Sequence, residues 1–163
     1  HSTADDAGDV GYYAVRGFTT DAMRHLSKEL AQVAARHGSG HAPGVTSKQA
    51  AKWLAFVNSD LHPAFHPLFG PARFIGDEAQ FEAVKDAARR RLRGMYETAE
   101  KQLEGRDWLA GFRSFADPYF YITLRWADRT GVDLSGLPNI AAFKQRMEAD
   151  AGVQAALKAE GLA

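Results

Sequence analysis

Wherever a pattern of apolar positions is clear in this chain, they recur at steps of three and four. Ala50, Trp53, Leu54, Val57, Leu61, Ala64, Phe65 and Leu68 form the strongest amphipathic run, opened by Ser47. Pro63 falls inside it. It has no N–H for the carbonyl of Ser59 and its ring crowds that turn, which predicts a kink. Pro67, Gly70 and Pro71 end the run, and Phe69 and Phe74 are expected to cover the core from the loop. A second stripe, from Phe81 and Val84 through Ala88, Leu92, Met95, Tyr96 and Ala99 to Leu103, predicts a long helix over Asp77–Leu103, stopped by Gly105. A third long helix is predicted from Ser114 through Thr130 and ended by Gly131. Pro138 suits a helix start, where its missing N–H costs little. Ile140, Phe143 and Met147 line that helix, Gly152 is expected to break it, and a last short helix runs to Glu160.

The first part of the chain reads differently. Thr20 to Arg36 has helical spacing (Ala22, Leu26, Leu30, Val33), with Thr19 or Thr20 as cap. His37 to Gly44 carries three glycines and a proline and reads as a linker or loop. Gly11 to Val15 suits one short strand or a segment docked on the core. With no internal repeat and no convincing second strand, the expected class is all-α.

Composition narrows the function more than the fold. A chain of 163 residues is long enough to bury its own core. Twenty basic and twenty acidic residues cancel, so no global field favours nucleic acid or an anionic membrane. Arg89-Arg90-Arg91-Leu92-Arg93 invites a phosphate reading. Its neighbours Glu82, Asp86 and Glu97 instead place it on a solvated, charge-paired helix face. No cysteine is present, which excludes a disulfide or a cysteine nucleophile in this chain. No apolar run approaches the roughly 20 residues a bilayer requires, and the start does not resemble a signal peptide. A soluble, cytoplasmic protein is expected.

Two motifs carry candidate chemistry. His62 and His66 lie one helical turn apart, as metal ligands can. Pro63 and Pro67 disturb that spacing, no glutamate follows His62 and no third ligand is evident, so no metal site is expected. Ser114-x-x-Asp117 is a capping box: the aspartate can reach back to the serine N–H, and the serine hydroxyl can accept from the Asp117 N–H. No phosphate loop, dinucleotide fingerprint or nucleophile elbow occurs.

The stretch Trp108-Leu-Ala-Gly111, Ser114-Phe-Ala-Asp117, Leu124-Arg-Trp-Ala127, Leu134-Ser-Gly-Leu-Pro-Asn-Ile140 and Ala155 to Leu162 resembles the C-terminal helical domain of bacterial, beta-class-like glutathione S-transferases. Trp53 to Phe69 is similar to the first helix of that domain. The resemblance covers about residues 47–163 and implies a bundle of five or six helices with an extra N-terminal helix; residues 1–46 form a separate segment with one helix and a Gly/Pro linker. It implies that Ser114 and Asp117 serve folding. It implies that His62 faces the cleft near glutathione, and that Trp126 lies beside the pocket for a hydrophobic co-substrate, with Phe65 and Tyr119 also lining it. The competing reading makes Phe65 and Trp126 core and His62 a cap for a local carbonyl, burial being the usual fate of such residues. The sequence departs from the family pattern at Arg113, which holds an apolar slot before the cap, and at Asp150-Ala151, which replaces an Arg-Pro pair.

In the resembling family a thioredoxin-like domain binds glutathione and steadies its thiolate. Such a domain needs on the order of eighty residues. Only 46 precede Ser47, and Phe18 to Met23 carries neither the Glu/Gln nor the Ser of the glutathione-binding pair. That domain is therefore expected to be absent, with Tyr12, Tyr13, Val15 and Phe18 covering the surface it would meet. No resident cofactor is expected, and glutathione enters as a co-substrate. Three readings follow: a fragment or variant of a transferase, inactive alone; a non-catalytic binding or inhibitor module on the same scaffold; or a homo-oligomer exchanging its N-terminal segment, with a homodimer or a protein partner expected.

Overall fold

The computed structural model describes residues 43–162, with side chains from Lys48 onward. The expected N-terminal helix, linker and surface cover at Tyr12 to Phe18 lie outside the described residues. Helix α1 spans Pro43–Phe56. It starts four residues before the predicted Ser47, because Pro43 fits a first helical turn and the break assigned to Pro43-Gly44 does not occur. The α-helical ladder then gives way to a π turn over Val57–Leu61 and a 3-10 turn over Pro63–Phe65. The expected irregularity at Pro63 is thus spread over two turns. The His62 N–H reaches back five residues to the Val57 carbonyl at 2.8 Å, and the Phe65 N–H reaches only three, to His62, at 3.1 Å. A single turn, α2 (His66–Phe69), closes the segment.

Helix α3 spans Phe81–Leu103, preceded by a 3-10 turn that Asp77 caps by accepting from the Ala79 N–H. Ala88, Leu92, Tyr96, Ala99 and Leu103 form its buried face, while Phe81, Val84 and Met95 sit half-buried at its margin. Phe74 does not cover the core. The 3-10 turn Pro71–Arg73 carries it outward, and it is 55% exposed. Phe69 alone packs inward, stacked on Phe65 with ring centres 5.8 Å apart.

Helix α4, Ala116–Thr130, is the axis of the domain. Every residue from Ala116 to Leu124 is buried, as are Trp126 and Ala127. A helix buried on all sides must be surrounded, and α1, the π turn and helix α5 (Pro138–Glu148) pack against it. Gly131, at φ 71°, ends α4 in the left-handed conformation that glycine adopts without penalty. Helix α6 (Ala151–Ala159) packs on α5. Gly152 lies inside α6 rather than breaking the chain. The break falls at Asp150, whose carboxylate accepts from the Val153 N–H at 3.0 Å and caps α6. The described residues contain helices and turns and no strand.

The capping box is built on Asp117, which is fully buried. Its Oδ2 accepts from the Ser114 N–H at 2.6 Å and from the Ser114 hydroxyl at 3.1 Å; its Oδ1 accepts from the Leu109 N–H at 3.1 Å. The Ser114 oxygen accepts from Ala116 rather than from Asp117 as the box predicted, because the Asp117 N–H bonds the Ser114 carbonyl. The Leu109 bond ties the preceding loop to the helix start. Burial pushes the Asp117 carboxyl above the usual aspartate range, against the opposing pull of its bonds from Ser114 and Leu109. The two departures from the family pattern meet: Arg113 pairs with Asp150 at 2.8 Å.

Candidate functional site

The capping box fixes where α4 begins, and so fixes Tyr119 in its first turn. Trp126 lies seven residues on, two turns along the same face. Opposite that face sits the segment in which α-helix yields to π and 3-10 turns, a form of irregularity frequent at functional sites. This segment presents Asn58, His62, Phe65 and Phe69 to α4.

The rings converge on Trp126. Its centre lies 4.8 Å from His62, 5.5 Å from Phe65 and 5.7 Å from Phe69, each edge-on. His62 is also edge-on to Tyr119 at 5.8 Å and to His66 at 5.8 Å. Edge-to-face contacts of this kind add about 0.5–1.5 kcal/mol each to the gain from burial. One polar corner interrupts the cluster. The Tyr119 hydroxyl lies 2.5 Å from His62 Nδ1 and donates to Asn58 Oδ1 at 3.3 Å. Burial raises the phenol pKa, so the hydroxyl keeps its proton.

The structure thus joins His62, Phe65, Tyr119 and Trp126 in one series of ring contacts, Tyr119 to His62 to Trp126 to Phe65. Their exposures differ: Phe65 is 0%, Trp126 4% and Tyr119 5% exposed, whereas His62 is half-buried and forms the edge of the cluster. Ser114 and Asp117 are separate from the rings and act through the position of Tyr119. Two members escaped sequence reasoning. Asn58 sits four residues before His62, a same-face spacing that could have flagged it, and Phe69 stands in the same relation to Phe65.

Among the described residues no group of three histidine, aspartate or glutamate side chains is placed to hold a metal ion, and no helix is long and apolar enough to cross a membrane. A groove of about 450 Å³ lies apart from the rings, between α1 and α3, lined by Lys52, Trp53, Phe56, Thr98, Lys101 and Gln102. Trp53 Nε1 is buried there without a hydrogen-bond partner.

Comparison with known proteins agrees with this architecture. The family model described as glutathione S-transferase, C-terminal domain, matches residues 51–151. Glutathione S-transferase GST-4.5 of Xanthomonas campestris pv. campestris is 53% identical over 112 residues, covering 68% of this chain and 55% of that protein. The chain therefore spans about half the length of this relative. A glutathione S-transferase structure from Xylella fastidiosa superposes with a TM-score of 0.69 at 48% identity, covering 72% of this chain and 57% of that one. The structure of a sphingomonad glutathione S-transferase complexed with glutathione superposes with a TM-score of 0.65 at 33% identity, over 82% of this chain and 66% of that one. By family match, sequence and fold, the chain belongs to the glutathione S-transferase C-terminal domain family.

Proposed function

We propose that residues 47–163 supply the wall of a hydrophobic electrophile pocket for glutathione conjugation, and that the thiol-activating half of the reaction comes from outside the described residues. His62 forms the reachable edge of this wall; Phe65, Tyr119 and Trp126 back it. The observation that carries the reading is the convergence of one polar ring and three aromatic rings where the helical ladder of α1 breaks down. Apolar walls with few placed polar groups suit an apolar ligand, and a relative of the same fold is complexed with glutathione. The chemistry is attack of the glutathione thiolate on a hydrophobic electrophile. This chain contributes orientation and exclusion of water, not the nucleophile. Residues 1–46 act as a separate segment, the working protein is a homodimer, and it works in the cytoplasm.

A second reading, a non-catalytic binding module on this scaffold, is favoured by the near-complete burial of Phe65, Tyr119 and Trp126, which are packed as core. Calorimetric titration with S-hexylglutathione separates the two. The transferase reading predicts saturable binding that His62→Ala weakens about ten-fold, roughly 1.4 kcal/mol, in a variant that remains folded by circular dichroism. Absence of binding leaves the binding-module reading.

A further inference from the structure

The groove between α1 and α3 holds donors that nothing accepts from. Lys52, Trp53 and Phe56 face it from α1, and Thr98, Lys101 and Gln102 face it from α3. Its volume of about 450 Å³ falls in the range of small-molecule sites, roughly 300–1,000 Å³. Phe56 stands edge-on to Trp53 at 5.3 Å and gives the groove an apolar wall. Among the described residues that line it, none is acidic. Thr98 spends its hydroxyl hydrogen on the Gly94 carbonyl at 3.2 Å, and Gln102 spends an amide hydrogen on the Leu109 carbonyl at 2.6 Å. Lys52 and Lys101 are exposed and have no carboxylate partner among the described residues. Trp53 is 4% exposed, and its Nε1–H, which only donates, meets no acceptor. Buried donors are paired in nearly all folded proteins. An orphaned indole N–H beside two unpaired ammonium groups therefore calls for an anionic oxygen. Lys52 lies over the Trp53 ring, with Nζ 5.9 Å from the ring centre. Its flexible stem can lift and open a way to the indole edge.

We infer that this groove is a binding site for an aromatic carboxylate, separate from the rings around Trp126. The aryl body lies against Trp53 and Phe56. One carboxylate oxygen accepts from Trp53 Nε1–H, and the ammonium groups of Lys52 and Lys101 meet the charge, as charge-assisted bonds. Selection follows from the lysines: a neutral molecule of the same shape fits the apolar wall but leaves both cations unpaired. No bond is made or broken, so the site is one of binding alone.

The test is titration of 2-naphthoate into the ¹⁵N-labelled 163-residue chain, read at the indole N–H signals of its three tryptophans, assigned through bonds in the wild type. The expected result is a saturable shift, largest at Trp53. Lys52→Ala with Lys101→Ala, two exposed positions whose loss leaves the core intact, weakens binding about ten-fold or more. 2-Naphthamide, the uncharged analogue, leaves the Trp53 signal in place. The inference is overturned by absence of saturable binding, by equal binding of naphthamide, by binding indifferent to the two lysines, or by a shift centred on Trp126. The double lysine variant keeps whatever affinity the wild type has for S-hexylglutathione, so this site and the proposed electrophile wall fail separately.

Discussion

Removing the Asp117 carboxylate tests how the site is held in place. Asp117→Ala leaves the backbone N–H groups of Leu109 and Ser114 in a buried position without their acceptor. A buried donor left unsatisfied costs about 1–3 kcal/mol. Two such groups therefore cost about 2–6 kcal/mol, a large share of the roughly 5–15 kcal/mol that stabilises a domain. At about 2–4 °C per kcal/mol for a chain of this size, the melting temperature falls by roughly 5–20 °C. The amide introduced by Asp117→Asn still accepts at one oxygen, so the loss is about half as large. The pH dependence has a definite sign. Burial raises the folded-state pKa of Asp117 above its unfolded value. Its contribution is therefore fully present in acid, below the unfolded pKa, and is lost as pH rises through the raised folded value. The Asp117→Asn variant lacks that decline. The assay is thermal unfolding by circular dichroism across the acid range, wild type against both variants. A melting temperature for Asp117→Ala within about 2 °C of wild type would refute the reasoning, since a loss of even 1 kcal/mol gives that much.

Other perturbations have smaller or more local outcomes. Glu100 on α3 caps α5 from outside, accepting from the N–H groups of Asn139 and Ile140 and from the Asn139 amide; Glu100→Ala should cost about 0.5–2 kcal/mol in urea unfolding and speed amide exchange at the start of α5. Arg113 and Asp150 should show a coupling of only about 0.2–1 kcal/mol in a double-mutant cycle, because both side chains are partly exposed, and the coupling should shrink in high salt. Leu92→Ala, at a side chain with no exposed surface, should destabilise by about 2–5 kcal/mol without altering the His62 ring shifts.

Much of the fold is legible in the sequence because its helices bury one continuous stripe each. Leu92, Tyr96 and Leu103 mark α3, and Gly131 and Pro138 mark helix ends with a chemistry that neighbours do not override. Boundaries are harder to read where several local signals compete. Pro43 starts a helix although it stands among glycines that read as linker, and Gly152 is absorbed into α6 because Asp150, two residues earlier, supplies the cap. Pro63 announces a disturbance, but not that a π turn precedes it. Asn58 is hard to find for another reason: its four-residue spacing from His62 is visible, but its partner Tyr119 lies 61 residues away. The bond from Leu109 to Asp117 and the pairing of Arg113 with Asp150 are tertiary, and no local pattern encodes them.

The central claim is that this chain supplies the electrophile wall and not the thiol site. The most direct test measures conjugation of glutathione to chlorodinitrobenzene by the purified chain, beside calorimetric titration with S-hexylglutathione. The account predicts binding that His62→Ala weakens, with no turnover above the uncatalysed rate. Turnover by the chain alone would contradict the division of labour, and binding indifferent to His62 would contradict the assignment of the wall.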